Sequence, residues 1–285
     1  MKEELIKQEI DLLINDLIEN LKQELSQCLE NITLTGTYTI EDISFNRPNI
    51  NIIIFLKKST NAKDYLKLGE VFYKTAKQHL NLFRIRIDML PFRFASPIGD
   101  KELEVIITPL ILNMAQKNQK PAFGIPLNVL EGMNSMGKVV FGTNVLSSIN
   151  FDYSREDFIR WAFFDLGVLY KNQLIRVPLT YDINENLDLL VTEALEIGKV
   201  ALYWGTEIFL NDKHKSFDLI KNKDKMIDFY QNISQKLGNA SKIILEARNH
   251  FQEYKVNKDK AFRLYEAAYT AITEVFFKVL SEMKK

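Results

Sequence analysis

The sequence predicts an α+β protein in which a small mixed β-sheet is followed by an antiparallel helical bundle. In the first half of the chain, short runs rich in β-branched residues alternate with segments of helical periodicity. From about residue 155 onward, apolar residues recur at three- and four-residue steps, and no convincing strand follows. These two patterns place a sheet domain in residues 1–150 and a helical bundle domain in residues 151–285.

Composition and charge narrow the class of protein. The 285 residues are 46% apolar, which is enough for one large core or two modest ones. Lys and Arg total 37, as do Asp and Glu, and this balance argues against nucleic-acid binding and against attraction to an acidic membrane. Cys28 is the single cysteine, which excludes an intramolecular disulfide and a cysteine-based zinc site. Because no signal-peptide pattern or long apolar run is present, we expect a cytoplasmic protein with no membrane partner.

Residues 3–29 are predicted to form one amphipathic helix, because apolar residues recur along it at helical spacing. A packed N-terminal helix is favoured over a coiled-coil arm, since the apolar stripe ends directly in a strand. That strand is expected from Asn31 to Tyr38, where Ile32 and Leu34 alternate with threonines.

The run Asn49–Phe55 is predicted to be a buried central strand opened by Pro48. Its alternation places Asn49 and Asn51 on one face, and both faces become apolar within three residues. Two amides at the mouth of such a strand have two explanations. They are strand-end side chains that satisfy loop backbone, or they are ligands in a binding site.

A helix over 62–80 and strands over 84–90 and 102–112 complete the predicted sheet domain, in an order typical of a small mixed sheet. Asp88 shares a strand face with Arg86. A salt bridge between these two side chains is therefore the simple alternative to a functional role for Asp88.

The connector at 113–128 is polar, and the segment after it comes close to a phosphate-binding loop. Gly132 and Gly137-Lys138 have the spacing of that motif, but Val139 replaces its hydroxyl residue. The run that follows Lys138 also looks extended, whereas a phosphate-binding loop must open a helix. We therefore reject that interpretation.

Five helices are predicted in the second half, at about 155–170, 185–206, 224–236, 240–254 and 258–282. The first is apolar on nearly all sides and should be buried. The last combines an apolar stripe with Phe276 and Phe277, which is more apolar surface than one neighbour would cover. This surplus predicts a homodimer or a contact with another protein.

The Gly36-Thr37 turn, the Asn49-Ile50-Asn51 strand and the Asp88 strand together resemble the nucleotidyltransferase superfamily, which includes kanamycin-nucleotidyltransferase-like and polymerase-β-like proteins. In that family a Gly-Ser or Gly-Gly turn, an Asp-x-Asp strand and a third acidic strand hold Mg²⁺ and a nucleoside triphosphate. The resemblance implies that Gly36 and Thr37 bind the nucleotide. It also implies that Asn49, Asn51 and Asp88 occupy the metal-ligand positions, with Asp88 as the catalytic acid, and that a cleft between sheet and bundle is lined by Thr37, Asn49, Asn51 and Asp88.

The Asp-x-Asp motif is degenerate here, because asparagine offers a carbonyl oxygen and no negative charge. Our preferred hypothesis is a catalytically degraded member that keeps a nucleotide- or partner-binding cleft. The second is an active Mg²⁺-dependent enzyme that moves a nucleoside monophosphate to a small hydroxylated acceptor or a protein. The third is a dimeric interaction protein with a vestigial cleft. The three histidines do not compete, since they lie far apart without metal-ligand spacing.

Overall fold

A computed structural model describes residues 2–88, 97–180, 182–185 and 187–284. The chain divides into two compact units, Met1–Asp152 and Tyr153–Lys285. In the part of the chain described, no helix combines the length and the apolar character needed to cross a membrane.

The first unit is built on a mixed sheet with the strand order β3-β4-β2-β1-β5. Its strands are β1 Leu29–Thr35, β2 Asn49–Leu56, β3 Arg84–Ile87, β4 Glu104–Asn113 and β5 Lys138–Gly142. β1 runs antiparallel to β2 and β5, whereas β4 runs parallel to β2 and β3. The predicted α+β class is confirmed, and β2 lies at the centre of the sheet. The end of the predicted third strand, Met89-Leu90, lies outside the described residues.

One face of the sheet is covered by two helices, α1 Lys2–Glu24 and α2 Ala62–Gln78. The core between them is apolar throughout and includes Ile10, Leu13, Leu21, Ile32, Ile52, Ile54, Phe72 and Ile107. The prediction of a packed N-terminal helix is therefore correct, but the predicted helix ran five residues too far. Leu29 pairs with Leu56 in the sheet, and this backbone pairing draws the chain into β1.

The opposite face is divided between an apolar end and a polar end. Ile53 and Phe55 of β2 pack there against Leu130 of helix α3, Leu127–Ser135. This helix occupies a segment that the sequence analysis did not predict to be helical. The run that begins at Lys138 forms the strand β5 and not a helix, which agrees with the rejection of a phosphate-binding loop here. The polar end of this face is left to side chains from β2, β3 and β4.

Pro109 lies inside β4, a position that would normally argue against a central strand because proline cannot donate a backbone hydrogen bond. The carbonyl of Ile107 points toward β3, where it accepts from the amide of Asp88 at 2.9 Å. Since backbone groups alternate sides along a strand, the nitrogen of Pro109 points the same way. The last described pair between β3 and β4 is Ile87 with Ile107, so Pro109 lies beyond the described pairing of these two strands.

The second unit is helical. Its α-helices are α4 Arg155–Val168, α5 Arg176–Thr180, α6 Leu187–Leu210, α7 Lys213–Lys221, α8 Lys223–Ile233, α9 Gln235–Asn249, α10 Phe251–Val256 and α11 Lys258–Met283, with a π-helical turn at Leu169–Leu174. α11 packs against α4, α6 and α9. The ring pairs Phe163–Phe276 and Tyr170–Tyr269 run in opposite chain directions, so α11 is antiparallel to α4 and its π-helical extension.

Polar residues at helix starts explain several boundaries in this unit. Ser154 and Asp157 form a reciprocal capping box at the start of α4. Asp212, Ser234 and Asn257 accept backbone N–H groups at the starts of α7, α9 and α11. The prediction that α4, apolar on nearly all sides, is buried holds for Phe158, Ala162 and Leu166 but is wrong for Phe164, whose side chain is 70% exposed.

Candidate functional site

Four polar residues from four strands lie in one line across the polar end of the sheet. Asn51 of β2 pairs with Thr35 of β1 on one side and with Thr108 of β4 on the other. Asp88 follows Ile87, the partner of Ile107, and so comes next to Thr108. We call Thr35, Asn51, Thr108 and Asp88 the polar row; at the usual strand spacing it spans about 14 Å.

Asn49 lies on the same face as the polar row, two residues before Asn51. Its Oδ1 accepts a hydrogen bond from the Thr108 hydroxyl at 3.0 Å, which fixes the orientation of the amide. Thr108 and Asp88 are buried, whereas Asn49 and Asn51 are half-buried. In the part of the chain that the structure describes, the Nδ2 groups of Asn49 and Asn51 make no hydrogen bond. Both therefore keep N–H donors for a ligand.

The turn after β1 lies against Asn51 and depends on a glycine. Gly36 has a φ of +81°, in the left-handed region that side chains disfavour. A Cβ atom at this position would lie 2.4 Å from Asn51 Nδ2. Gly36 thus ends β1, which the sequence analysis had extended to Tyr38, and leaves the space that the Asn51 amide occupies.

Two threonine hydroxyls tie this turn to the end of α3. Thr35 Oγ1 donates to the carbonyl of Met133 at 2.9 Å, and Thr39 Oγ1 donates to that of Met136 at 2.5 Å. The last carbonyls of a helix have no partner within the helix, so these contacts also cap α3. Within the described residues, the amide N–H groups of Thr37 and Tyr38 take part in no hydrogen bond. The turn therefore offers two further donors beside Asn51.

An ion cluster adjoins the polar row on the same sheet face. The buried carboxylate of Glu104 accepts from Arg84 Nε at 3.0 Å and from Arg86 at 2.9 Å. The simple alternative for Asp88 was a salt bridge with Arg86, and the structure instead pairs Arg86 with Glu104. Asp88 is 2% exposed at the end of the row.

The sequence matches no family model and no curated protein sequence. The fold, however, is similar to that of spectinomycin adenyltransferase AAD(9) from Enterococcus faecialis, whose crystal structure contains ATP and spectinomycin. The TM-score is 0.52 at 10% sequence identity, and the match covers 91% of this chain and 98% of that enzyme. An adenyltransferase transfers a nucleotidyl group, so AAD(9) is a nucleotidyltransferase. This chain has the nucleotidyltransferase fold.

The nucleotidyltransferase fold implies Mg²⁺, and the residues at the predicted positions do not fit a two-metal centre. Mg²⁺ prefers carboxylate oxygens in octahedral geometry, and Asp88 is the one carboxylate in the polar row. The Oδ1 atom of Asn49 is already engaged by Thr108. Among the described residues, no group of three or more His, Cys, Asp or Glu side chains could hold a metal ion.

Thr108 and Thr35 belong to the polar row but were not identified from the sequence. Thr108 lies in the apolar run Val105–Leu112, where nothing marks it as a site residue. Only the parallel register of β4 with β2 places it beside Asn51. Thr35 is one of three alternating threonines, and the turn at Gly36 decides which of them ends the strand.

Proposed function

We propose that this protein binds a nucleoside triphosphate at the polar row and the Gly36 turn, and that it has lost two-metal nucleotidyl transfer. The observation that carries the proposal is that Asn49 and Asn51 share one face of the sheet with Asp88, and that Thr108 contacts Asn49 and separates Asn51 from Asp88. ATP is the nucleotide to test first, because the structural neighbour AAD(9) was crystallised with it.

Charge explains why catalysis is lost on this proposal. Two Mg²⁺ ions activate the attacking hydroxyl and neutralise charge on the leaving pyrophosphate, and anionic ligands hold them in place. Here Asn49 and Asn51 contribute dipoles without charge, so Asp88 alone would face both dications. Binding requires less than catalysis, since the turn and the amides still present N–H groups to a phosphate.

A thermal melt of two proteins tests the lost metal site. The double variant Asn49→Asp/Asn51→Asp should melt below the parent in chelator, because two carboxylates at alternate positions of one strand lie about 7 Å apart and repel by roughly 2 kcal/mol at an effective dielectric constant of 20. Millimolar Mn²⁺ should more than recover this loss. A ligand that binds only the folded state stabilises it by about 2.7 kcal/mol at a hundredfold excess over its dissociation constant. The parent should respond little to Mn²⁺.

Asn118→Asp is the control for added negative charge, because Asn118 is exposed in the loop that follows β4 and gains one of the two charges of the double variant. If Mn²⁺ stabilised parent and double variant equally little, the three positions would not converge and the proposed site would be wrong. If Mn²⁺ stabilised the parent strongly, its amides would suffice as ligands and the active-enzyme hypothesis would replace ours. ATP should raise the melting temperature of the parent.

The third hypothesis, a dimeric interaction protein, is favoured by a different observation. Phe164 and Phe277 are 70% and 62% exposed, although Phe276 is stacked on Phe163 with a centroid distance of 5.6 Å. A homodimer through this surface should sediment as a dimer at micromolar concentration. The variant Phe164→Ser/Phe277→Ser should then sediment as a monomer, and a monomeric parent would dispose of the hypothesis.

A further inference from the structure

We infer that the site binds the phosphate groups of its nucleotide directly through N–H donors, without a divalent cation. This inference rests on the proposed nucleotide-binding function and adds how the ligand is recognised. It starts from the disagreement between the donor set and a two-metal centre. The same substitutions that remove metal ligands add hydrogen-bond donors at the same places.

The first step concerns the orientation of Asn49. Its Oδ1 accepts from the Thr108 hydroxyl, so the Nδ2 group is the part of the amide that remains for a ligand. An aspartate at this position would present only acceptor oxygens there. The asparagine therefore reverses the polarity of the site from accepting to donating.

The second step concerns Asn51 and the turn beside it. The Nδ2 group of Asn51 lies directly against Gly36, in the space that a Cβ would fill. The next two residues, Thr37 and Tyr38, have amide N–H groups without a hydrogen bond in the described chain. Backbone and side-chain donors thus come together at one end of β2, as in the backbone anion-binding concavities found in proteins.

The third step concerns net charge. A site with three carboxylates repels a triphosphate until metal ions bridge the two, whereas the polar row contains the single carboxylate of Asp88. The basic side chains nearby do not need to serve the ligand, since Arg84 and Arg86 are held by Glu104. Neutral N–H donors are sufficient for an anion in a half-buried site.

Calorimetric titration of ATP into the full-length protein tests the inference, once in EDTA and once in Mg²⁺. The dissociation constant of the parent should agree within twofold between the two buffers. Tripolyphosphate should displace ATP in EDTA, because the phosphates supply the recognised groups. A parent that binds ATP only in Mg²⁺ would overturn the inference and leave the proposed function standing. A parent that binds ATP in neither buffer would overturn the proposed function itself.

Two variants of Asn51 separate the donor from the metal ligand. Asn51→Leu removes the donor without adding charge, so ATP affinity should fall at least tenfold in both buffers. Asn51→Asp removes the donor and adds a ligand, so the tenfold loss in EDTA should be largely recovered in Mg²⁺. Asn118→Asp should bind like the parent in both. Unchanged ATP affinity of Asn51→Leu in EDTA, with folding verified by circular dichroism, would also refute direct recognition.

Discussion

Two asparagine sites lie on one face of one sheet and use their amides in opposite ways. Asn31 of β1 is fully buried, and its Nδ2 donates to the carbonyl oxygens of Phe141 and Thr143, each at 2.7 Å. Its Oδ1 accepts from the Thr33 hydroxyl at 2.8 Å. Both N–H groups and the carbonyl oxygen of this amide therefore have partners within the protein.

Asn49 and Asn51 lie at the other end of the same face. Within the described part of the chain, their side chains make a single hydrogen bond, which Asn49 Oδ1 accepts from Thr108. An asparagine that satisfies nearby backbone was the simple explanation offered for this pair. It applies instead to Asn31, which holds β1 to β5. A structural asparagine is thus recognised by the hydrogen bonds that its side-chain amide makes within the protein, and not by its position at a strand end. An amide with few such bonds remains available to a ligand.

Substitution of Asn31, whose amide is fully engaged, should reduce stability more than any other change considered below. Asn31→Ala would remove three hydrogen bonds, to the carbonyls of Phe141 and Thr143 and from the buried Thr33 hydroxyl, and a typical hydrogen bond contributes about 0.5–1.5 kcal/mol. We expect a loss of roughly 2–4 kcal/mol in the free energy of unfolding, measured by urea denaturation. A loss below about 1 kcal/mol, the level expected for Asn49→Ala, would erase the distinction between the two sites.

Gly36→Ala should come next, because it forces a side chain into a left-handed conformation and into the Asn51 amide. Strain of this kind costs about 1–3 kcal/mol. Since Asn51→Ala removes the obstructing amide, the double variant should be more stable than the sum of the single losses predicts. A double-mutant cycle in urea measures this coupling, and strict additivity would show that the turn and Asn51 are independent.

Asn49 and Asn51 keep N–H groups that make no hydrogen bond within the described chain, so the variant Asn49→Ala/Asn51→Ala should change stability little. One hydrogen bond is lost, and a typical hydrogen bond contributes about 0.5–1.5 kcal/mol. The same variant should lose at least tenfold in ATP affinity, measured by calorimetry in EDTA. Strong destabilisation without a change in ATP affinity would show that both asparagines stabilise the fold and do not bind ATP.

In the second unit we expect a smaller change in stability, at Asp165. This half-buried carboxylate accepts a hydrogen bond from the Trp204 indole at 2.6 Å. Burial raises the pKa of Asp165, and the hydrogen bond from Trp204 offsets part of this rise. A raised folded-state pKa means that the carboxyl stabilises the fold below its unfolded pKa and loses this contribution as pH rises through the folded value. Asp165→Asn should therefore melt slightly above the parent at pH 7, and the gap should narrow toward pH 4. A gap that does not change with pH would refute the ionisation argument.

Much of the sheet was predictable, because its central strand is decided by local alternation. β2 was predicted to within one residue of its end at Leu56, since a run with both faces apolar fits a buried strand. α3 was missed because its nine residues follow Pro121 and Pro126 and contain Gly132. Its end is stabilised by hydroxyl groups from a segment far away in the sequence, which periodicity does not detect.

The candidate site was predictable in its residue types and not in its connections. Gly36, Asn51 and Asp88 were identified from the resemblance to a family motif, and all three lie at the polar end of the sheet. The Thr108 contact and the pairing of Arg86 with Glu104 depend on strand register. Register depends on how two strands pair, so it cannot be predicted from the sequence of either strand alone.

The position of β5 has a consequence for how this protein is made. β1 emerges early in synthesis and finds β2 soon afterwards, but its second neighbour begins only at Lys138. Until then the nascent chain carries an open strand edge, which is a template for aggregation. Once β5 has formed, the two hydrogen bonds from Asn31 to the carbonyls of Phe141 and Thr143 stabilise its pairing with β1. A chain cut short anywhere before Lys138 would therefore be released with β1 unpaired on one side.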